Sequence, residues 1–208
     1  MEKISFYDLL SLLLPGSLCS LFILIVANDF GINWNILLLN ESYQLIVFLS
    51  SAFILGSSID IVTRKSLKYY GMIGLYNPIY KIYTKLAKGT PLEPFYKDLK
   101  QFTGDEKEDN EKMEVLWSEI FYDLEAKDRI NVPKTYQSFY FFYRNFITLS
   151  IPIVLVSLFM MTKFPDKYTC IFVISIIVML LSFFNARWNR IKMVDRTFWI
   201  YYSLNKNR

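Results

Sequence analysis

The side chains of this sequence best placed to do chemistry are the few charges that border its long apolar runs. Asp8, Asp60 and Arg144 each stand at the edge of such a run, and Arg64 follows Asp60 by four residues. A charge inside a membrane is costly, so it is usually paired or functional, for example in an ion pathway. Charges at helix ends can also reach the water boundary, and the Asp60–Arg64 spacing suits an i, i+4 ion pair. Because none of these charges lies in the middle of a run, we favour boundary anchoring over an ion pathway.

Residue types that most catalytic sites need are missing from the sequence. There is no histidine among the 208 residues, which excludes Ser-His and Cys-His pairs and histidine-based metal sites. Glycine-rich phosphate-binding motifs are also absent. The two cysteines, Cys19 and Cys170, lie inside or at the edge of apolar runs and lack zinc-type spacing. The acidic residues at 105–114 lie in a run mixed with lysines, as on a solvated helix face. We therefore expect no catalysis, no cofactor and no metal ion.

Four apolar runs form the elements that must position these charges. Each is about 16–19 residues long, close to the roughly 17–25 that cross a hydrocarbon core, and in lipid such runs have to be helices. The sequence predicts an all-α, integral membrane four-helix protein with a helical cytoplasmic insert between the second and third spans. The predicted spans are Leu9–Ala27, Tyr43–Ile59, Phe146–Met161 and Tyr168–Asn185.

Positive charge predicts the orientation and the division of the chain. Residues 63–145 hold 14 lysines and arginines, whereas the loop 28–42 holds none. By the positive-inside rule, both termini and the insert face the cytoplasm. Within the insert we expect helices near 79–86 and 105–127, and a long helix from Lys134 into the third span. The predicted segments are an N-terminal transmembrane hairpin (1–62), the insert (63–143), a C-terminal transmembrane hairpin (144–186) and a cytoplasmic amphipathic tail helix (187–208).

Small residues recur at helical spacing within the first two spans. Gly16 and Ser20 form one small-xxx-small pair, and Ala52 and Gly56 form another. Such pairs let helices approach closely in lipid, either within one subunit or between subunits. We favour packing within one subunit. We also expect a homo-oligomer, whose contacts would use Ala52, Gly56 and the helix of the third span.

The tail interleaves basic and aromatic residues directly after the fourth span. Arg187, Trp188, Arg190 and Lys192 suit contact with lipid headgroups, and such a pattern is also found where proteins stack on nucleic acid. Direct nucleic-acid binding is not expected, because 12 acidic residues nearly balance the 14 basic residues of the stretch 63–145. The expected partners are the lipid bilayer, a second copy of the chain and a cytoplasmic protein.

Three segments together carry a resemblance to a known group of proteins. They are Phe6-Tyr7-Asp8-Leu9-Leu10 leading to Leu14-Pro15-Gly16, Ala52-Phe53-Ile54-Leu55-Gly56 followed by Asp60, and Phe141-Phe142-Tyr143-Arg144-Asn145. The chain resembles small four-span bacterial membrane proteins of antiphage loci, such as the membrane accessory protein encoded beside type VI-B, RNA-targeting CRISPR nucleases. Members of that group often have a histidine just after the glycine of the second span. Here Ser57 and Ser58 occupy that region, so a role that depends on the histidine does not transfer.

The resemblance implies a non-enzymatic membrane component of phage defence that perturbs membrane permeability or regulates a partner nuclease. Two other functions fit the same architecture. One is a constitutive channel or small transporter, against which the lack of charges in mid-span counts. The other is a membrane scaffold that recruits a cytoplasmic enzyme and uses its spans only as an anchor.

Overall fold

The computed structural model describes residues 6–32, 41–66, 93 and 106–205. These residues form five helices and contain no strand, and the first two and last two helices are long and apolar enough to cross a membrane. The prediction of an all-helical chain with four such helices is confirmed, whereas the helix predicted near 79–86 lies outside the described residues. The helices are α1 (Phe6–Asp29), α2 (Glu41–Lys65), α3 (Glu106–Ala126), α4 (Asn131–Met160) and α5 (Pro165–Asn205).

Two helices end on a residue with left-handed backbone geometry. After α1, Gly31 has a φ of 73°, and the N–H of Ile32 donates to the carbonyl of Ala27 at 3.0 Å. After α3, Asp128 has a φ of 54°, and the N–H of Arg129 donates to the carbonyl of Leu124 at 2.9 Å. These 6→1 bonds belong to the Schellman motif, which satisfies carbonyls at a helix end. The second motif makes the α3–α4 connection a tight turn.

The fourth span and the tail form one helix instead of two. The sequence predicts a span that ends at Asn185 and a separate tail helix, but α5 continues through 41 residues. No glycine or proline interrupts the chain after Pro165 until α5 ends, so nothing in the backbone chemistry breaks the helix. Similarly, α4 begins at Asn131, just before the predicted start at Lys134, and Pro152 lies inside it.

The chain separates into two compact units. Unit 1 comprises Met1–Leu67 and Ser138–Ala186, and unit 2 comprises Lys68–Gln137 and Arg187–Arg208. The boundaries fall within α4 and α5, so each of these helices contributes residues to both units.

Unit 1 buries polar side chains and exposes apolar ones. Its spans carry a broad apolar surface on every helix, whereas hydroxyls, an amide and an ion pair lie inside. The buried polar residues are Ser11, Ser20, Asp60, Thr63, Ser138, Arg144, Asn145, Ser150, Ser157, Ser175 and Ser182. The exposed apolar residues include Leu14, Leu18, Leu21, Leu45, Ile46, Ile54, Leu155, Leu158, Phe159, Ile174, Ile177, Leu181 and Phe184.

Unit 2 has the opposite polarity and a core of the kind found in water-soluble domains. One face of α3 carries apolar residues at i, i+3 and i+4 spacing, as the sequence predicts for an amphipathic helix. This face packs on the last part of α5. The buried core residues are Met113, Trp117, Ile120, Phe121, Leu124, Ile130, Met193, Val194 and Phe198.

Candidate functional site

An ion pair inside unit 1 joins α2 to α4. The Nη2 of Arg144 donates to Oδ1 of Asp60 at 2.9 Å, and the Nε of Arg64 donates to Oδ2 of the same carboxylate at 2.7 Å. The side chains of Arg144 and Asp60 are 2% and 11% exposed, whereas that of Arg64 is 66% exposed. Sequence reasoning anticipated the spacing of Asp60 and Arg64. It missed the partner 84 residues away, because no local pattern relates α2 to α4.

Further polar contacts surround this pair and extend it to a third helix. The hydroxyls of Thr63 and Thr148 lie 2.8 Å apart between α2 and α4. The Nδ2 of Asn145 donates to the backbone carbonyl of Ser11 on α1 at 3.2 Å. Hydrogen bonds between helices are favoured where no water competes for the polar groups. The polar cluster therefore holds α1, α2 and α4 together.

Aromatic rings cover the guanidinium of Arg144. Its Cζ lies 4.7 Å from the ring centroid of Phe141 and 5.6 Å from that of Tyr140, within the range of cation–π attraction. The contacts come from the same helix one turn or less away. The two rings help to keep the guanidinium of Arg144 directed at Asp60. The Nε atom of Arg144 has no hydrogen-bond partner among the described residues. One carboxylate shared by two guanidinium groups can fix helices in place and leaves a net positive charge at this end of the spans.

The small residues of the first two spans pack α1 directly on α2. A Cβ atom added to Gly16 would overlap the backbone carbonyl of Ala52, and one added to Gly56 would overlap that of Leu12. Next to them, the hydroxyl of Ser20 lies 3.4 Å from that of Ser51. Thus the structure places Gly16, Ser20, Ala52 and Gly56 at a contact within one chain. Ala52 is fully buried there, so this face has no free surface for a second copy.

A second polar cluster in unit 1 joins the end of α1 to the start of α5. The Nζ of Lys167 lies 2.7 Å from both carboxylate oxygens of Asp29, and the hydroxyl of Tyr168 donates to Oδ2 at 2.6 Å. Tyr168 is fully buried. Sequence reasoning did not select these residues, although charges placed just outside two apolar runs were a signal for them.

The four residues predicted to form a tail contact do not all share one surface. Arg190 turns inward within unit 2, with a side chain only 7% exposed whose Nη2 lies 3.6 Å from Oε1 of Glu114. Its guanidinium also lies 5.6 Å from the ring centroid of Trp117. Arg187 and Trp188 are exposed and Lys192 is half-buried beside them. The side chain of Asp8 lies outside the described part of the chain.

No protein-family model, curated protein or solved structure matches this chain. Within the described ranges, no three His, Cys, Asp or Glu side chains are grouped closely enough to hold a metal ion. The polar cluster around Asp60 and Arg144 is therefore interpreted from its own geometry.

Proposed function

We propose that this chain is a non-enzymatic, multi-pass protein of the bacterial inner membrane that acts as an accessory or effector protein in antiviral defence. Both termini and the insert lie in the cytoplasm. The protein perturbs membrane permeability or regulates a partner nuclease. It works as a homo-oligomer or with a cytoplasmic protein partner.

The observation that carries the membrane part of this proposal is the reversed polarity of unit 1. In water, the exposed leucine, isoleucine and phenylalanine side chains of the four long helices would be unfavourably hydrated. In lipid, the same side chains face hydrocarbon, and polar groups such as Asp60, Arg144 and Asn145 are buried inside the unit, where they bond to other helices. The arrangement therefore fits four packed spans and does not fit a helical bundle in water.

Unit 2 supports the accessory role, because a unit with its own apolar core can fold in the water beside a membrane. A folded unit on the water side of a membrane is a suitable site for a protein partner or an activating signal. The defence setting depends on the resemblance carried by the segments at 6–16, 52–60 and 141–145. It is the part of the proposal that needs a cellular test.

Membrane insertion and sidedness are tested by cysteine labelling. Single cysteines replace Lys163 and Arg129 in a background with Cys19→Ala and Cys170→Ala. In spheroplasts, a membrane-impermeant maleimide should label the cysteine at 163, and should label that at 129 only after permeabilisation. Both variants should stay in the membrane fraction after alkaline carbonate extraction. Reversed labelling would overturn the orientation, and release by carbonate would overturn membrane insertion.

The defence role is tested by membrane potential in cells that express the chain from its native locus. A depolarisation dye should report a loss of potential after phage challenge and no loss before it. Arg144→Met should abolish this response, whereas Arg64→Gln, which changes the exposed partner of the same carboxylate, should keep it. If cells with the chain and its neighbouring genes resist phage no better than cells without it, the defence proposal is wrong.

A constitutive channel or small transporter is the second candidate. It is favoured by buried polar atoms inside unit 1 that have no hydrogen-bond partner among the described residues, Oδ1 of Asn145 and Oγ of Ser157. Depolarisation at rest, without phage, would support this candidate. A scaffold is distinguished by exchanging the spans for an unrelated anchor, because retained activity would show that unit 1 serves only to attach the chain.

A further inference from the structure

The length of α5 requires that part of it lies outside hydrocarbon. Its 41 residues, at about 1.5 Å each, give a helix about 60 Å long, roughly twice the thickness of a hydrocarbon core. Trp188 lies 23 residues beyond Pro165, about 35 Å along the helix axis. If the proposed membrane insertion holds, on which this inference depends, Trp188 lies at the level of the lipid headgroups.

An exposed aromatic and basic patch of unit 2 surrounds this residue. We define the Trp188 patch as Trp188, Lys192 and Arg196, which share one helix face at i, i+4 and i+8. Trp188 is 52% exposed, whereas Trp117 is buried in the unit 2 core and Trp199 packs against that core. Of these three tryptophans, only Trp188 is not packed in or against the core, so core packing does not account for a tryptophan at this position.

Neighbouring side chains hold the Trp188 ring in place. The ring of Tyr136 meets it edge-on, with centroids 5.8 Å apart. The Nζ of Lys192 lies 5.9 Å from the centroid of the indole ring, which brings a positive charge beside the aromatic surface. A fixed aromatic ring next to a cation offers both an apolar face and a positive charge to the same ligand.

We propose that the Trp188 patch binds the headgroup of an anionic phospholipid in the inner leaflet. Tryptophan is enriched at the membrane–water interface because its ring is apolar while its N–H remains hydrated. Lys192 and Arg196 outnumber the one acidic residue that lies between them in the sequence, Asp195, so the patch carries a net positive charge complementary to a phosphate. Arginine and lysine pair with phosphate through charge-assisted hydrogen bonds.

Lipid fits the patch better than nucleic acid does. Proteins that bind single-stranded nucleic acid stack successive bases on several aromatic rings. Here one indole is exposed, and Tyr136 packs against it edge-on instead of extending a stacking surface. A single ring with two basic side chains on the same helix face matches one headgroup and the acyl chains below it.

The test uses the full chain reconstituted in nanodiscs of phosphatidylcholine with or without phosphatidylglycerol. Brominated forms of either lipid quench tryptophan fluorescence by contact, and the part of the quenching that disappears in Trp188→Phe reports on this patch. We expect brominated phosphatidylglycerol to quench Trp188 more strongly than brominated phosphatidylcholine at equal mole fraction. Lys192→Gln and Arg196→Gln should each lower this lipid preference by about fivefold, because one juxtamembrane charge contributes about that much to anionic-lipid binding. The preference should weaken as salt is added.

Arg129→Gln is the matched control, since it removes one exposed positive charge of unit 2 outside the patch and should leave the preference unchanged. The proposal is wrong if Trp188→Phe does not change the quenching, or if Arg129→Gln lowers the preference as much as Lys192→Gln. It is also wrong if the purified chain binds single-stranded RNA through Trp188 and Lys192 and shows no lipid preference. Failure to enter nanodiscs would instead overturn the proposed membrane insertion, so the two failures are distinguishable.

Discussion

At the scale of single residues, the carboxylate of Asp60 binds two arginines that differ in exposure. Arg144 is almost fully buried, and Arg64 is mostly in solvent. An exposed ion pair contributes little to stability. Removing one partner of a buried pair is much more costly, because the other charge is left in a poorly solvating environment. Arg144 should therefore matter for the fold far more than Arg64, although both bond to the same group.

Arg144→Met should lower the free energy of unfolding by about 3–5 kcal/mol, measured on the detergent-solubilised chain by denaturant titration. Arg64→Gln is the matched control, with an expected loss of about 0.2–1 kcal/mol. The double variant Asp60→Leu/Arg144→Met removes both charges and should be more stable than Arg144→Met alone. Equal losses for Arg144→Met and Arg64→Gln would show that the buried pair does not hold α2 and α4 together.

Tyr168→Phe should destabilise the chain by about 1.5–3 kcal/mol, since the hydroxyl of this buried residue donates to the charged Asp29 and such bonds are among the stronger ones. The same unfolding assay applies. Tyr122→Phe, at a tyrosine that is largely exposed, should change stability by less than about 0.5 kcal/mol. A similar change in both variants would contradict the role assigned to the Asp29 cluster.

At the scale of elements, the contact between α1 and α2 depends on two glycines. Gly16 and Gly56 let the backbone of each helix reach that of the other, so side chains do not separate the two spans. Helices in lipid gain little from apolar burial between them, and close backbone contact strengthens van der Waals attraction instead. The glycines consequently fix the register of the first hairpin, and any homo-oligomer must use another surface.

Gly56→Ala should cost about 3 kcal/mol, at the upper end of the usual cost of overpacking, because its Cβ meets a backbone carbonyl that cannot rotate away. The measurement is the thermal midpoint of unfolding at several protein concentrations. Ser58→Ala is the control, as Ser58 is exposed and bonds only within α2. A loss of stability that appears only on dilution would show instead that Gly56 lies between subunits.

At the scale of the whole molecule, the two units have opposite polarity. Unit 1 exposes many of its large apolar side chains, whereas unit 2 gathers apolar side chains into a core. This contrast fits the proposal that unit 1 lies in lipid and unit 2 in water. The apolar core of unit 2 loses contacts when a core residue is shortened, as in any water-soluble domain. Shortening a residue of that core should therefore lower the stability of unit 2 before that of unit 1.

Leu124→Ala should destabilise unit 2 by about 2–5 kcal/mol, because Leu124 is fully buried in its core. Limited proteolysis of membrane preparations should then cut within residues 106–130 faster than in the unchanged chain. Carbonate extraction should still leave the chain in the membrane. Leu204→Ala, at an exposed leucine of the same unit, is the control and should not change the cleavage rate. Release of the Leu124→Ala chain from the membrane would contradict separate stability of the units.

The sequence by itself determined the helical class and the four long apolar helices, because hydrophobicity and helical periodicity are local properties that neighbouring residues carry together. The amphipathic face of α3 and the i, i+4 pair of Asp60 and Arg64 follow from the same local rule. The continuity of α5 could also have been predicted, since no helix-breaking residue separates the fourth span from the tail. The change from apolar to charged composition led instead to the prediction of a boundary there.

Only the tertiary structure decided which distant residues meet. Asp60 meets Arg144, and Asp29 meets Lys167 and Tyr168. Each of these contacts joins two helices and depends on how the helices are packed and rotated. The choice between packing Gly56 inside one chain and between two chains also depended on that packing, as did the inward turn of Arg190 toward Glu114. Side chains far apart in sequence are brought together by the summed contacts of whole helix surfaces, and no spacing along the chain encodes that sum.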